Sequence, residues 1–132
     1  MLDLNVLLDV VQRREPFYTA SAAVLSQAVE RPNVASLPSH ALTTLHYIGS
    51  KYANQEQAGI LIDWILANLE VVPQDRSQFL RARSLNFDDF EDAALASAAE
   101  ASGCELIVTR NVADFGSSPV PAVTPEELLA AG

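Results

Sequence analysis

Cysteine, histidine and basic residues are scarce in this 132-residue chain. The single cysteine, Cys104, excludes an internal disulfide framework and a cysteine-rich zinc site. It also favours a reducing compartment, so we expect the protein in the cytoplasm. The two histidines, His40 and His46, lie too far apart in sequence to share one helix face as a zinc pair would.

Long apolar runs are also lacking. No run approaches the roughly 18 residues that span a bilayer. The first residues, Met1-Leu2-Asp3, lack the basic stretch and apolar core of a signal peptide. We therefore expect no membrane association.

Acidic residues outnumber basic ones by 17 to 8, which gives a formal net charge of −9. Such a surface repels polyanions and anionic membranes, so nucleic acid must be handled through a local site or a bound cation. With 49% hydrophobic residues, the chain can bury one core. We expect one domain across residues 1–132.

Strand-like and helix-like segments alternate along the sequence. A very short strand precedes Asn5, which is expected to cap the first helix, and Pro16 suits the first turn of the second. The segment Arg31-Pro32-Asn33 is expected to end that second helix. Further strands are predicted at 34–37, 69–72, 106–109 and, as an edge strand, 119–123; further helices are predicted from Pro38, at 55–66, 76–84 and 93–101, and from Thr124. Because parallel strands need helical crossovers, this order predicts a three-layer α/β/α domain with a mainly parallel sheet.

Carboxylates follow the predicted strands where ligands bind in such folds. Asp3 ends the first strand, Asp114 lies in the loop after strand 106–109, and Asp92 begins a helix that can face the same edge. Gathered carboxylates repel one another unless their pKa values rise or a cation binds. Oxygen ligands suit magnesium, which keeps several waters and binds few carboxylates.

Structural roles compete with this interpretation. Asp88 and Glu91 have the spacing of an acidic capping box, so the acids at 88, 89 and 91 are assigned mainly to the helix start. Asp92 shares its predicted helix face with apolar residues, so both roles stay open. Asp3 also suits a helix cap and Asp114 a turn, while Asp9 is assigned to solvent in preference to a supporting role near the site.

Several motifs resemble the PIN domain family, in particular bacterial VapC-type toxins. The opening Asp3-Leu4-Asn5-Val6-Leu7-Leu8-Asp9 looks like the signature Asp-Thr-Asn-Val-Leu-Leu-Asp. Three further blocks, at 14–17, 89–93 and 108–115, look like those of one PIN subgroup. The resemblance spans nearly the whole chain and rests on four blocks in order.

The resemblance implies a PIN fold and a ribonuclease in which Mg²⁺ or Mn²⁺ activates water against an RNA phosphodiester. Asp3, Asp92 and Asp114 would hold the metal. Asn5, Thr44, Thr109, Arg110 and Asn111 would surround the site, with Arg110 contacting phosphate or forming a structural ion pair. The resemblance also implies a homodimer and a small antitoxin partner.

The chain departs from the family pattern at three places. Thr44 stands nearest to a position where many PIN nucleases carry a glutamate, so one charged metal ligand is missing. Leu4 replaces the signature threonine. PIN chains usually have several residues before the first aspartate, which implies a truncated start and a poorly formed first strand.

Two other functions remain as alternatives. Without the glutamate, the domain would be a catalytically impaired PIN module that binds RNA or protein. A phosphoacceptor receiver-like domain also clusters acids around magnesium, but it needs a lysine after a late strand. The only lysine, Lys51, lies in a predicted mid-chain helix, so this alternative ranks last.

Overall fold

The computed structural model describes residues 1–31 and 34–131. Within them, α-helices and short strands follow one another along the chain. The helices are α1 (Leu4–Val11), α2 (Tyr18–Glu30), α3 (Ser39–Tyr52), α4 (Gln55–Asn68), α5 (Arg76–Ser84), α6 (Phe90–Ala101) and α7 (Pro125–Ala131), with a 3-10 helix at Val112–Phe115; the strands are β1 (Ser36–Pro38), β2 (Glu70–Val72), β3 (Ile107–Val108) and β4 (Ala122–Val123).

The strands form two parallel pairs that the first residues of the chain join. β1 pairs with β2, and β3 pairs with β4. Leu2 forms a parallel bridge to Val108, and its N–H donates to the carbonyl of Ser36 at 2.7 Å. The spatial order is therefore β2, β1, the Leu2 segment, β3 and β4, with all described pairings parallel.

Apolar side chains cover both faces of this sheet. Leu2, Leu37 and Val108 belong to one buried cluster, which also contains side chains of α1, α2, α3 and α4. Met1 and Ile107 belong to a second cluster, packed against α6. Successive strand residues point to opposite faces, so the helices lie on both sides and the predicted three-layer arrangement is confirmed.

The strands are shorter than the sequence suggested. Pro38 is the last residue of β1, Pro73 follows β2 and Pro121 precedes β4. A proline has no N–H to donate to a ladder, which limits pairing at these points. The first strand is reduced to the Leu2 bridge.

Helix starts also differ from the predictions. Asp3, and not Asn5, occupies the N-cap position of α1, without a side-chain capping bond. Pro16 precedes α2 instead of lying in its first turn, and α6 begins earlier than expected because Asp89 caps it. The helix at 76–84 has the predicted bounds. Helix α2 ends at Glu30, and two residues of the predicted terminator, 32 and 33, lie outside the described residues.

None of the helices in the described part of the chain is both long and apolar enough to cross a membrane.

Candidate metal centre

Asp3 lies at the carboxyl end of the central Leu2 segment, where α1 begins. Its N–H donates to the carbonyl of Val108 at 2.9 Å, and the residue is only 7% exposed. Its Oδ2 atom accepts a hydrogen bond from the Thr109 hydroxyl at 2.8 Å and one from Asn5 Nδ2 at 3.3 Å. Burial raises the pKa of Asp3, and the bond from Thr109 opposes that rise.

Thr109 is the centre of the polar network that holds Asp3. Its hydroxyl accepts from the N–H of Asn111 at 3.1 Å and from Asn5 Nδ2 at 3.4 Å. The Asn5 side-chain oxygen in turn accepts from the N–H of Arg110 at 3.4 Å. The network ties the start of α1 to the loop after β3, so the Asp3 carboxylate is fixed in orientation.

Asp92 lies in the first turn of α6, where its N–H donates to Asp89 Oδ1 at 3.0 Å. Burial raises its pKa to about 7, and the carboxylates of Asp3, Asp89, Asp114 and Glu91 add to that rise in this order. Among these charges that of Asp3 has the largest effect, so the two carboxylates interact electrostatically. An ionised Asp92 is disfavoured here because the nearby charges have its own sign.

Asp114 is less enclosed than the other two aspartates. It belongs to the 3-10 helix, its side chain is exposed, and its N–H donates to the carbonyl of Asn111 at 3.0 Å. Its charge nevertheless raises the pKa of Asp92. Asp114 thus lies at the rim of the group that Asp3 and Asp92 form.

Thr44 and Glu91 meet across the site. The Thr44 hydroxyl on α3 donates to Glu91 Oε1 on α6 at 3.0 Å. The cap of α6 is Asp89 and not Asp88, so the capping box expected from Asp88 and Glu91 is wrong. Glu91 is an acid of this site that sequence reasoning missed, because the same spacing is typical of a helix start.

Arg110 forms an ion pair with Asp9. Its Nε lies 3.2 Å from Asp9 Oδ2, and its guanidinium carbon lies 4.4 Å from the ring centroid of Phe17. Ser21 also donates to Asp9 Oδ2, at 3.2 Å. Asp9 is fully buried, so its assignment to solvent is wrong, and the structure favours the ion-pair role for Arg110 over phosphate contact.

Carboxylate oxygens are the type of ligand that a hard divalent cation prefers. Among the described residues, no three His, Cys, Asp or Glu side chains are placed closely enough to enclose a metal ion. Magnesium, however, keeps several waters and needs only one or two protein carboxylates. The charges of Asp3 and Asp114 contribute to the rise of the Asp92 pKa to about 7. A bound cation would neutralise this negative charge.

Comparison with known proteins identifies the family. The model of the PIN domain matches residues 1–113. The chain belongs to the PIN domain family. Asp3 and Asp92 fall inside the matched range, and Asp114 lies one residue beyond it. No curated protein matches the chain at a significant level.

Solved PIN structures share this fold. VapBC2 from Rickettsia felis, bound to a DNA fragment from its promoter, is similar with a TM-score of 0.71 and 22% identity over 94% of this chain and 96% of that chain. A toxin-antitoxin complex from Klebsiella pneumoniae is similar with a TM-score of 0.70 and 20% identity, over 94% of this chain and 95% of that chain. DNA-bound VapBC from Salmonella typhimurium is similar with a TM-score of 0.71 and 18% identity, over 95% of this chain and 96% of that chain.

Proposed function

We propose that this PIN domain is a divalent-metal-dependent endoribonuclease that hydrolyses RNA phosphodiester bonds. The observation that carries the proposal is the crowding of carboxylates around Asp92, whose pKa is raised to about 7 by burial and by four neighbouring acids. Asp3 follows the Leu2 bridge and Asp114 lies after β3, so these two lie beyond the carboxyl ends of parallel strands, where α/β proteins bind ligands.

The residues of the proposed site would have different roles. A bound Mg²⁺ or Mn²⁺ supplies activation of water and neutralisation of charge on phosphate. Asp3, Asp92 and Asp114 would hold the ion partly through bound water, because no three of the described acidic side chains enclose a metal position, and Asp92 would give up its proton as the ion binds. Asn5, Thr109 and Asn111 keep the Asp3 carboxylate in one orientation through their hydrogen bonds.

We further propose that the protein is a toxin restrained by a small antitoxin and that it forms a homodimer in the cytoplasm. The support for an antitoxin is the nature of the solved relatives, which include toxin-antitoxin complexes.

Val11, Val29 and Ile60 are large apolar side chains exposed on α1, α2 and α4, and they line one groove. The free thiol of Cys104 is compatible with a reducing compartment.

The test is cleavage of a mixed RNA pool by the purified chain in Mn²⁺, beside a chelator control. We expect metal-dependent cleavage that Asp92→Asn abolishes. Asp63→Asn is the matched control, because Asp63 is an exposed aspartate on α4 and the same charge is removed. Cleavage that persists in chelator, or that both variants retain equally, contradicts the proposal.

A non-catalytic PIN module is the second candidate. It is favoured by Thr44, which carries no charge where a carboxylate was expected, and by the absence of a preformed three-ligand group in the described residues. Folded wild-type protein that never cleaves RNA, with or without Mn²⁺, would favour this candidate.

A further inference from the structure

Helix α3 differs in composition from most of this acidic chain. Residues 31–55, which include the whole of α3, contain no aspartate or glutamate, and no other stretch of the sequence without an acid is as long. The helix also carries the only lysine, Lys51, and both histidines. In a protein of net charge −9, α3 therefore presents a surface free of the carboxylates that repel a polyanion elsewhere.

Four side chains of α3 form one stripe along the helix, called here the α3 stripe. They are His40, Thr44, Tyr47 and Lys51, whose spacing of three or four positions places them one above another on the same face. Tyr47 is 65% exposed, and Lys51 is exposed as well. The Lys51 ammonium lies 5.9 Å from the centroid of the Tyr47 ring. An aromatic ring and a cation are therefore neighbours on an accessible surface.

One member of the α3 stripe lies beside the candidate metal centre. The Thr44 hydroxyl donates to Glu91 Oε1 at 3.0 Å, and Glu91 precedes Asp92 in the first turn of α6. From the helical rise per residue, Tyr47 lies about 4.5 Å and Lys51 about 10 Å beyond Thr44 along the axis of α3. A strand bound with a phosphate at the metal centre would therefore pass Tyr47 and then Lys51 if it followed this helix.

The chemistry of the α3 stripe suits bases as well as phosphates. One lysine supplies a single phosphate contact, which is a small electrostatic contribution. An aromatic ring binds an unpaired base by stacking, and this attraction requires no positive charge on the protein. Stacking on Tyr47 would thus add affinity that the acidic surface as a whole cannot provide.

We propose that the α3 stripe is a contact surface for single-stranded RNA, on which Tyr47 stacks against an unpaired base and Lys51 contacts a neighbouring phosphate. The inference rests on the proposed function and names the form of RNA that the site accepts. In a duplex the base faces are already stacked on one another, so only an unpaired segment can offer a base to Tyr47.

Two other uses of this surface make different predictions. If Tyr47 and Lys51 only cover the solvent side of α3, their replacement has no effect on RNA binding. If a second copy of the chain covers them, Tyr47→Ala changes the oligomeric state instead.

The experiment measures binding of the full chain, in Mg²⁺, to a fluorescent, non-cleavable, single-stranded oligoribonucleotide by anisotropy. A second probe has the same length and backbone but no bases. Tyr47→Ala should weaken binding of the base-bearing probe about tenfold, the loss expected for one base–aromatic stack, and should leave the abasic probe unaffected. Tyr47→Phe should bind as wild type does, because the ring remains.

Tyr52→Ala is the matched control for Tyr47→Ala. Tyr52 is 72% exposed and is the last residue of α3, but it does not belong to the α3 stripe. Its replacement removes the same kind of ring from the same helix and should leave the binding of both probes unchanged.

Lys51→Gln tests the phosphate contact. It should weaken binding of both probes and reduce the slope of log affinity against log salt concentration by about 0.7, the value for one phosphate of a single strand. Arg83→Gln removes the same charge from an exposed position on α5 and should leave the slope unchanged.

Three results would overturn the inference. These are a Tyr47→Ala protein that binds the base-bearing probe as tightly as wild type, a Tyr47→Ala protein that loses affinity equally for both probes, and a change in oligomeric state of this variant in light scattering. Thermal melts show whether each variant is folded. If Tyr47→Ala is not folded, an unchanged salt slope in Lys51→Gln overturns the inference by itself.

The cleavage assay separates this inference from the proposed function. If the wild type binds the probe through Tyr47 but cleaves no RNA, the nuclease activity fails and the role of the α3 stripe stands. If the wild type cleaves RNA and Tyr47→Ala does so with the same KM, only the role of the α3 stripe fails. A wild type that binds neither probe overturns the inference whatever its cleavage activity.

Discussion

At Asp92 the stability of the metal-free fold conflicts with the proposed function. Its pKa rises from 3.8 to about 7, first through burial and then through the neighbouring carboxylates. Ionised Asp92 therefore destabilises the metal-free fold, and a bound cation would reverse that effect. A site that costs stability without its ligand is typical of functional positions.

The pH dependence of stability follows from this shift. The folded state holds a proton on Asp92 that the unfolded chain releases, so between about pH 4 and pH 7 stability falls as the pH rises. Asp92→Asn removes the ionisation, so in chelator it should be more stable than wild type at about pH 8, by roughly 1–2 kcal/mol after allowance for solvent screening. The gain should shrink toward pH 5.

Urea unfolding of both proteins at the two pH values measures this difference. Asp63→Asn, on an exposed face of α4, controls for the change in net charge. A wild-type protein that is as stable as Asp92→Asn at both pH values would show that Asp92 ionises normally.

Sequence patterns singled out some residues of the candidate site and passed over others for identifiable reasons. Asp3 and Asp92 were predicted because each follows a strand or begins a helix at the ligand-binding edge. Glu91 was missed because its position next to a helix start has an adequate local explanation, and only a contact with distant Thr44 reveals more. Asp9 was misassigned because its partner, Arg110, lies about a hundred positions away in sequence.

Among the elements, helices were easier to predict than strands. Helix α5 has the predicted bounds because a local signal, the Asp75 cap that accepts from the Gln78 N–H, defines its start. Strand bounds depend on the partner strand, which local sequence does not encode. β1 begins at Ser36, whereas its apolar pattern suggested a start at Val34.

The ion pair of Asp9 and Arg110 connects α1 to the loop after β3, next to the network that holds Asp3. Asp9 is fully buried, whereas the Arg110 side chain is 23% exposed. Burial raises the pKa of Asp9 and Arg110 opposes the rise. Arg110→Met would leave the Asp9 carboxylate buried without its ion-pair partner, so we expect the free energy of unfolding in urea to fall by about 2–4 kcal/mol.

Arg81→Met is the matched control at the surface. Arg81 pairs with Glu100 at 3.0 Å, but both side chains are substantially exposed, so the loss of stability should be much smaller than that of Arg110→Met. Equal losses for the two arginine variants would contradict the structural role of Arg110. In a double variant, Asp9→Asn with Arg110→Met, the free energy of unfolding should fall by less than the sum of the decreases in the two single variants.

On the scale of the whole molecule, the net charge of −9 opposes RNA binding. A divalent cation held by the carboxylates would create the local attraction that the rest of the surface lacks. We therefore expect RNA affinity, measured with a non-cleavable oligonucleotide, to rise when Mg²⁺ is added. Monovalent salt at equal ionic strength should give a smaller rise, and an equal rise would show that screening alone is responsible.

The most direct test of the metal centre is the pKa of Asp92, measured by NMR of its side-chain carboxyl carbon with and without Mg²⁺. We predict a pKa near 7 in chelator and a clear decrease in saturating Mg²⁺, because the ion favours the charged carboxylate. Titration curves that coincide in the two conditions would contradict the claim that these carboxylates hold a divalent cation.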